Sequence, residues 1–210
     1  LVMSATPIPR SLALTLYGDL ELSLLDEMPA GREPVTTRVE PASREEAVYA
    51  ACRERIAAGE RGFVIYPVVE ESEKTDIKAA TAEAEALAAG PFQEQRVGLV
   101  HGRVKAAAKQ EVMARFASGD LDVLVATTVV EVGIDVPEAT WMVIHAPERF
   151  GLAQLHQLRG RIGRGGGRAW CWLVASDQLA AETLARLRFF ASTGDGFRLA
   201  EEDLRQRGPG

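Results

Sequence analysis

Six short apolar runs, most of them separated by stretches of helical spacing, are the feature of this 210-residue sequence that most narrows its possible folds. The runs are Val35–Val39, Phe63–Val69, Arg96–His101, Asp122–Ala126, Trp141–Ala146 and Ala169–Ala175. The helical stretches are Arg44–Ala58, Lys74–Ala89, Lys105–Ser118, Gly151–Ile162 and Asp177–Ser192. Several of the runs are apolar almost throughout rather than alternating with polar residues, the pattern of strands buried on both faces. The order predicts an α/β domain: a parallel sheet with helices on both faces, followed by a C-terminal helical extension. In such sheets ligands sit beyond the carboxyl ends of the strands, so the segments just after strands are where chemistry is expected.

Local signals set provisional boundaries. Ser43 followed by Glu46 predicts a capping box at the first helix, and Gly59 and Gly119 stand where C-terminal caps belong. Residues 1–33 fall outside the alternation: Leu1-Val2-Met3 reads as a strand leaving another sheet, and Met28–Pro34 as a linker. The expected division is 1–33 for the end of a preceding unit and its linker, 34–176 for the sheet domain, and 177–210 for the start of the helical extension. Both ends read as cuts within a longer chain.

Composition excludes several classes. Hydrophobic residues are 47% of the chain, enough for a real core. No apolar run approaches the roughly 18 residues of a membrane span, no signal peptide heads the chain, and a cytoplasmic location is expected. The two cysteines, Cys52 and Cys171, lie far apart and outside any CxxC pattern, so neither a disulfide framework nor a metal site is expected. Net charge is -6, which argues against a basic DNA-coating protein. The charge is uneven, however. Residues 1–95 carry nine basic and seventeen acidic side chains, whereas residues 96–210 carry fifteen and thirteen. Arg149, Arg159, Arg161, Arg164 and Arg168 form a local basic concentration. A protein that grips a phosphate backbone at a few points remains compatible with that distribution.

The segment Gln154–Arg164 carries the strongest chemical signal. At 3.6 residues per turn, Leu152, Leu155, Leu158 and Ile162 share a core-facing side, while Gln154, Gln157, Arg161 and Arg164 fall opposite. Gly160 and Gly163 would cost a helix about 1 kcal/mol each relative to alanine. Glycine at those positions points to a close approach of backbone or ligand, rather than to a merely solvated arginine face. A second segment, Ala126–Pro137, follows an apolar run, so its threonines lie at the carboxyl edge of the sheet. Alone, Thr127-Thr128 would be read as a helix cap.

Together these segments resemble motifs of superfamily 2 helicases. Gln157-Leu158-Arg159-Gly160-Arg161-Ile162-Gly163-Arg164 is similar to motif VI, and Ala126–Pro137 to motif V. The resemblance implies that Arg161 and Arg164 are arginine fingers for an ATP γ-phosphate, with Gln157, Gly133 and Asp135 facing the nucleotide. It implies that Thr127, together with His101 and Gly102 of the Val100-His101-Gly102-Arg103 turn, contacts the nucleic-acid backbone. Tyr66–Ser72 corresponds to motif IV. Ser4-Ala5-Thr6 resembles motif III, which couples nucleotide state to DNA grip through Ser4 and Thr6. Forked guanidinium donors suit phosphate oxygens, and such fingers raise turnover roughly 10³–10⁵-fold in GTPases.

Within the superfamily, Ala5–Leu14, Glu70–Lys74 and Glu148–Gln157 look like the RecG family, and the resemblance spans essentially the whole chain. It implies a RecA-like second motor domain followed by the start of a helical translocation element. It also implies ATP and Mg2+ as cofactors of the full-length enzyme, none of them bound by this segment alone. Forks and Holliday junctions would be the DNA partners, within a bacterial, nucleoid-associated enzyme. No G-x-x-x-x-G-K-[ST] phosphate loop occurs in the 210 residues, so that loop and a wedge domain are expected in upstream parts of the same protein. The transcription-repair coupling factor, another translocase sharing Ala5–Arg10 and the arginine segment, is the first rival; a stand-alone, non-catalytic nucleic-acid-binding module is the second.

Overall fold

A computed structural model describes residues 33–67, 73–127 and 136–207. Ser4, Thr6, Gly133 and Asp135 lie outside the described residues, as does most of Tyr66–Ser72.

Six strands form one sheet: β1 (Thr36–Pro41), β2 (Arg61–Ile65), β3 (Val97–Val100), β4 (Val123–Ala126), β5 (Ala139–His145) and β6 (Trp170–Ala175). Their order is β1-β6-β5-β2-β4-β3, and every neighbouring pair is parallel. Parallel neighbours need crossover connections, supplied by α1 (Glu45–Ala57), α2 (Glu73–Ala89), α3 (Ala106–Ser118) and α4 (Leu152–Arg159). After the sheet come α5 (Ala181–Ser192) and α6 (Gly196–Arg207). The parallel sheet with helices on both faces is the α/β architecture that the sequence pattern predicts and the RecA-like fold that the resemblance implies.

Alternate residues along each strand feed two separate cores. Phe63 and Ile65 of β2, Leu124 and Ala126 of β4, and Met142 and Ile144 of β5 meet Met113 and Phe116 of α3 and Leu152, Leu155 and Leu158 of α4. Val64, Val123, Val125, Trp141 and Val143 point the other way, onto Val48, Tyr49 and Cys52 of α1 and Ala84 and Leu87 of α2. Both faces being apolar explains why β4 reads as an uninterrupted Val-Leu-Val-Ala. Cys52 and Cys171 are free and buried, and burial pushes the Cys171 thiol up to about 12.

Two terminal signals resolve differently from expectation. Ser43 makes no cap: the helix begins at Glu45, and the Ser43 hydroxyl donates instead to Asp177 Oδ1 at 2.9 Å, tying the exits of β1 and β6 together. The helix expected over Gly151–Ile162 stops at Arg159, with Gly160 as its C-cap. Gly119 does cap α3 in the left-handed conformation, φ 87°.

Candidate functional site

The carboxyl edge of the sheet is a row of chain exits. Val100 of β3 pairs with Ala126 of β4, and Ile65 of β2 pairs with both Ala126 and Ile144 of β5. His101, Thr127, Tyr66 and His145 therefore emerge side by side, in that order. His101 is partly exposed and its Nδ1 accepts from the Arg103 amide at 3.3 Å; Gly102 and Arg103 are exposed. Thr127 is only 4% exposed, and its amide lies 3.4 Å from the Val100 carbonyl. Of these three candidate DNA contacts, His101 and Gly102 present themselves to solvent, whereas Thr127 is held inside the edge.

The arginine segment sits at the opposite end of the sheet. Helix α4 runs back from the β5 exit, and the turn after it docks on the start of β5: Gly163 N donates to Ala139 O at 2.9 Å, and Gly165 N to Pro137 O at 3.1 Å. The rule that chemistry follows strand ends thus locates the candidate DNA contacts but not the candidate fingers. Gln157 and Arg161 are partly exposed and Arg164 is exposed, with the Arg164 Nε donating to Gly160 O at 3.0 Å. The glycines are explained by backbone geometry. Gly163 has φ 70°, and a Cβ there would come within 2.8 Å of the Ala169 Cβ. Gly160 ends the helix, where the tight turn toward Arg161 begins.

Leu152, Leu155, Leu158 and Ile162 are at most 1% exposed, as their spacing predicts. Arg159 departs from expectation. It belongs to the local basic concentration of the sequence, yet it is only 6% exposed. Its guanidinium donates to the carbonyls of Phe190 at 3.1 Å and Thr193 at 2.9 Å, and lies 4.2 Å from the centre of the Phe190 ring. Arg186 of α5 donates to the carbonyls of Phe150 and Glu148, both at 3.0 Å, and Asp203 of α6 accepts from Leu152 N at 3.4 Å. Helix α4 is therefore attached to the C-terminal helices at both of its ends.

A buried polar cluster at the β5 exit was not foreseen. His145 is 9% exposed, and Tyr66 stacks on it at 4.5 Å between ring centres and 6° between planes. The Tyr49 hydroxyl lies 2.8 Å from Glu45 Oε1 and 2.9 Å from His145 Nε2. Which ring nitrogen of His145 donates follows its tautomer: Nε2 faces the Tyr49 hydroxyl and Nδ1 faces Glu45 Oε1. Burial pushes His145 down to about 4, so it is neutral near pH 7. Its 3.5 Å approach to Glu45 is then a polar contact rather than an ion pair. Desolvation raises both tyrosines well above their ordinary range, keeping their hydroxyls protonated. The legible signal was Glu45 and Tyr49 at the i,i+4 spacing; nothing in the sequence joined them to His145.

Comparison with known proteins resolves the family. Residues 48–166, more than half the chain, match the model of the helicase conserved C-terminal domain. The chain belongs to that helicase family. Within it, the whole chain is 54% identical to the ATP-dependent DNA helicase RecG of Thermotoga maritima and 49% identical to that of Escherichia coli K12, spanning 27% and 30% of their lengths. A solved RecG bound to a three-way DNA junction matches all of this chain and 27% of its own, with 52% identity and a TM-score of 0.84. Domain 2 of the DEAD-box helicase Mss116p matches 81% of this chain and 72% of its own at 14% identity and a TM-score of 0.53, a likeness of helicase fold alone.

Proposed function

We propose that this chain is the second motor domain of an ATP-dependent DNA helicase of the RecG type, which remodels branched DNA. The whole-chain likeness to RecG on a three-way junction is the observation that carries this reading. The RecG likeness also favours it over the coupling-factor alternative.

In this reading, ATP lies between an upstream motor domain and the turn after α4. The donors this chain offers there fit an anionic ligand: the guanidinium groups of Arg161 and Arg164, with the Gln157 carboxamide beside them. Gly133 and Asp135 complete the nucleotide side by the motif resemblance. We assign donation to phosphate oxygens to this domain, and Mg2+ with the phosphate loop to the upstream one. ATP would supply a phosphoryl group whose charge shifts as it is transferred, and the arginines, carried on the docked turn after α4, would neutralise that charge.

DNA would run along the carboxyl edge, against His101 and Gly102, with Thr127 supporting them from inside. Ser4 and Thr6 would relay nucleotide state. The units 1–33, 34–176 and 177–210 would act as linker, motor domain and the start of the translocation element. The C-terminal helices hold α4, so closure around ATP would be transmitted to them. Among the described residues no helix is long and apolar enough to cross a membrane, and the reading needs none. We place the enzyme in the bacterial cytoplasm, at the nucleoid.

Arg164→Ala in the full-length enzyme tests the reading. DNA-stimulated ATPase is expected to fall about 10³-fold, the lower end of the ~10³–10⁵ range for arginine fingers. A loss of only a fewfold would overturn the finger assignment. The 210-residue chain alone should hydrolyse no ATP, because half of the site lies elsewhere.

A further inference from the structure

Among the described residues, the buried Tyr49 and His145 and the half-buried Tyr66 form a polar cluster that the proposed chemistry does not use. Its place in the fold is specific. Strands β5, β2, β4 and β3 are consecutive neighbours, so His145, Tyr66, Thr127 and His101 leave the sheet in one row. The cluster occupies the two exits next to the two that carry the candidate DNA contacts. The Tyr66 amide donates to Ala126 O at 3.0 Å, the carbonyl just before Thr127, which locks the β2 exit to the β4 exit.

One level below this row the same face carries Val125, Val64 and Val143, aliphatic side chains where the row has polar ones. Apolar packing there would be at least as stabilising, because each buried hydroxyl and imidazole must recover its lost hydration through a partner. What the polar network adds is a single orientation. The Nε2–Tyr49 bond fixes the imidazole plane, Glu45 fixes the Tyr49 hydroxyl, and Tyr66 must lie parallel to the imidazole to stack. Directly beyond His145 the backbone turns through Ala146 at φ 44° and ψ 54°, the one non-glycine residue with positive φ among the described residues. A strained residue persists only where its surroundings over-determine it, and the His145 network supplies that constraint.

We propose that His145, held by Tyr49 and stacked on Tyr66, is a positioning residue for the nucleic-acid edge: it fixes the β2 exit against the β4 and β3 exits so that His101 and Gly102, backed by the buried Thr127, present one rigid surface to a phosphate backbone. The proposal rests on the helicase reading above. Its chemistry is orientation, not contact. Loss of the network loosens the DNA surface and leaves the arginine turn, docked at the other end of β5, in place.

The test uses the full-length enzyme with a duplex DNA fork as probe. It measures the DNA concentration that half-saturates ATPase, the KM for ATP and the thermal midpoint. His145→Leu and Tyr66→Leu keep apolar bulk but abolish the bond or the stack. Both are expected to raise half-saturating DNA at least fivefold while KM for ATP moves less than twofold. Tyr66→Phe keeps the stack but loses the hydroxyl that bonds Tyr49 and Glu83, and should raise half-saturating DNA by less than half as much as Tyr66→Leu does. Tyr49→Phe, nearly isosteric and safe for folding, should give an intermediate shift of two- to fivefold. Unchanged half-saturating DNA in the leucine variants would overturn the proposal. So would a rise in KM for ATP as large as the DNA effect, or a DNA effect of Tyr66→Phe as large as that of Tyr66→Leu. Absence of DNA-stimulated ATPase in the wild type would instead sink the helicase reading itself.

Discussion

Arg159 crosses from the end of α4 to the end of α5, where its guanidinium lies 4.2 Å from the centre of the Phe190 ring and 3.1 Å from the Phe190 carbonyl. A second nitrogen reaches Thr193 O at 2.9 Å, so one planar group satisfies the last turn of α5 and caps its exit. Its neighbours here are carbonyl dipoles and a ring face, and burial pushes the guanidinium pKa down from its ordinary value. Arg159→Ala would orphan these acceptors at about 1–3 kcal/mol per group, so a loss of at least ~2 kcal/mol in urea unfolding is expected. Arg159→Lys should rescue less than half of that, since a point charge cannot span two carbonyls and lie flat on a ring. A stability within ~0.5 kcal/mol of wild type for the alanine variant would show that the clamp is incidental.

Gly62 of β2 faces Trp141 of β5 so closely that a methyl group at Gly62 would overlap the indole ring. Overpacking in a sheet with both faces filled has nowhere to relax, and Gly62→Ala is expected to cost on the order of 3 kcal/mol. Gly59 provides the contrast: its φ is 87° but nothing lies within 4 Å of an added Cβ. Gly59→Ala should therefore cost only the left-handed penalty of about 1–2 kcal/mol. Thermal midpoints of the two variants give the ranking, and the reverse order would contradict the packing assigned to Trp141.

Those contrasts show what the sequence made legible. Strand and helix order could be read because apolar runs must be buried, and burial on both faces leaves no polar residue to interrupt β4. The core side of α4 followed from the spacing of Leu152, Leu155, Leu158 and Ile162. The same spacing held a signal that was missed: Arg159 lies seven residues after Leu152, on the buried side. Its charge suggested solvent, and only the tertiary arrangement supplies the carbonyls that allow its burial. The end of α4 was placed three residues too late because glycines were read as costly helical residues rather than as a cap and a left-handed turn. The His145 cluster joins residues of α1, β2 and β5, and no local pattern encodes that meeting.

His145 gives the domain an acid-sensitive term. Its pKa is lowered from 6.5 to about 4 by burial, so between those values the unfolded chain binds a proton that the folded chain refuses. Stability must then fall as pH drops from about 6.5 to about 4, and be unaffected by this group above that window. The groups facing it are Tyr49 and Tyr66, both neutral in this range, and the Glu45 carboxylate at 3.5 Å, which would partly offset the loss. Unfolding of wild type and His145→Leu should be compared at pH 7.5 and pH 5. Wild type is expected to lose on the order of 1 kcal/mol more than the variant over that interval. Equal losses would mean the imidazole is solvated in the folded state.

Arg103 and Arg38 stand at opposite edges of the sheet, beyond β3 and on β1, which separates a DNA surface from a merely basic one. If phosphate runs past His101 and Gly102, the exposed Arg103 beside them neutralises one phosphate and releases about one counterion. In the full-length enzyme, Arg103→Ala should weaken fork binding and reduce the slope of log K against log salt by about 0.9. Arg38 instead lies over the Trp170 ring at 5.3 Å, four strands away from β4, and Arg38→Ala should leave the slope unchanged. Salt titrations from 50 to about 200 mM cover the range in which such slopes are measurable. Equal slope changes in the two variants would mean that binding follows overall charge, and that the carboxyl edge of β3 and β4 holds no DNA in particular.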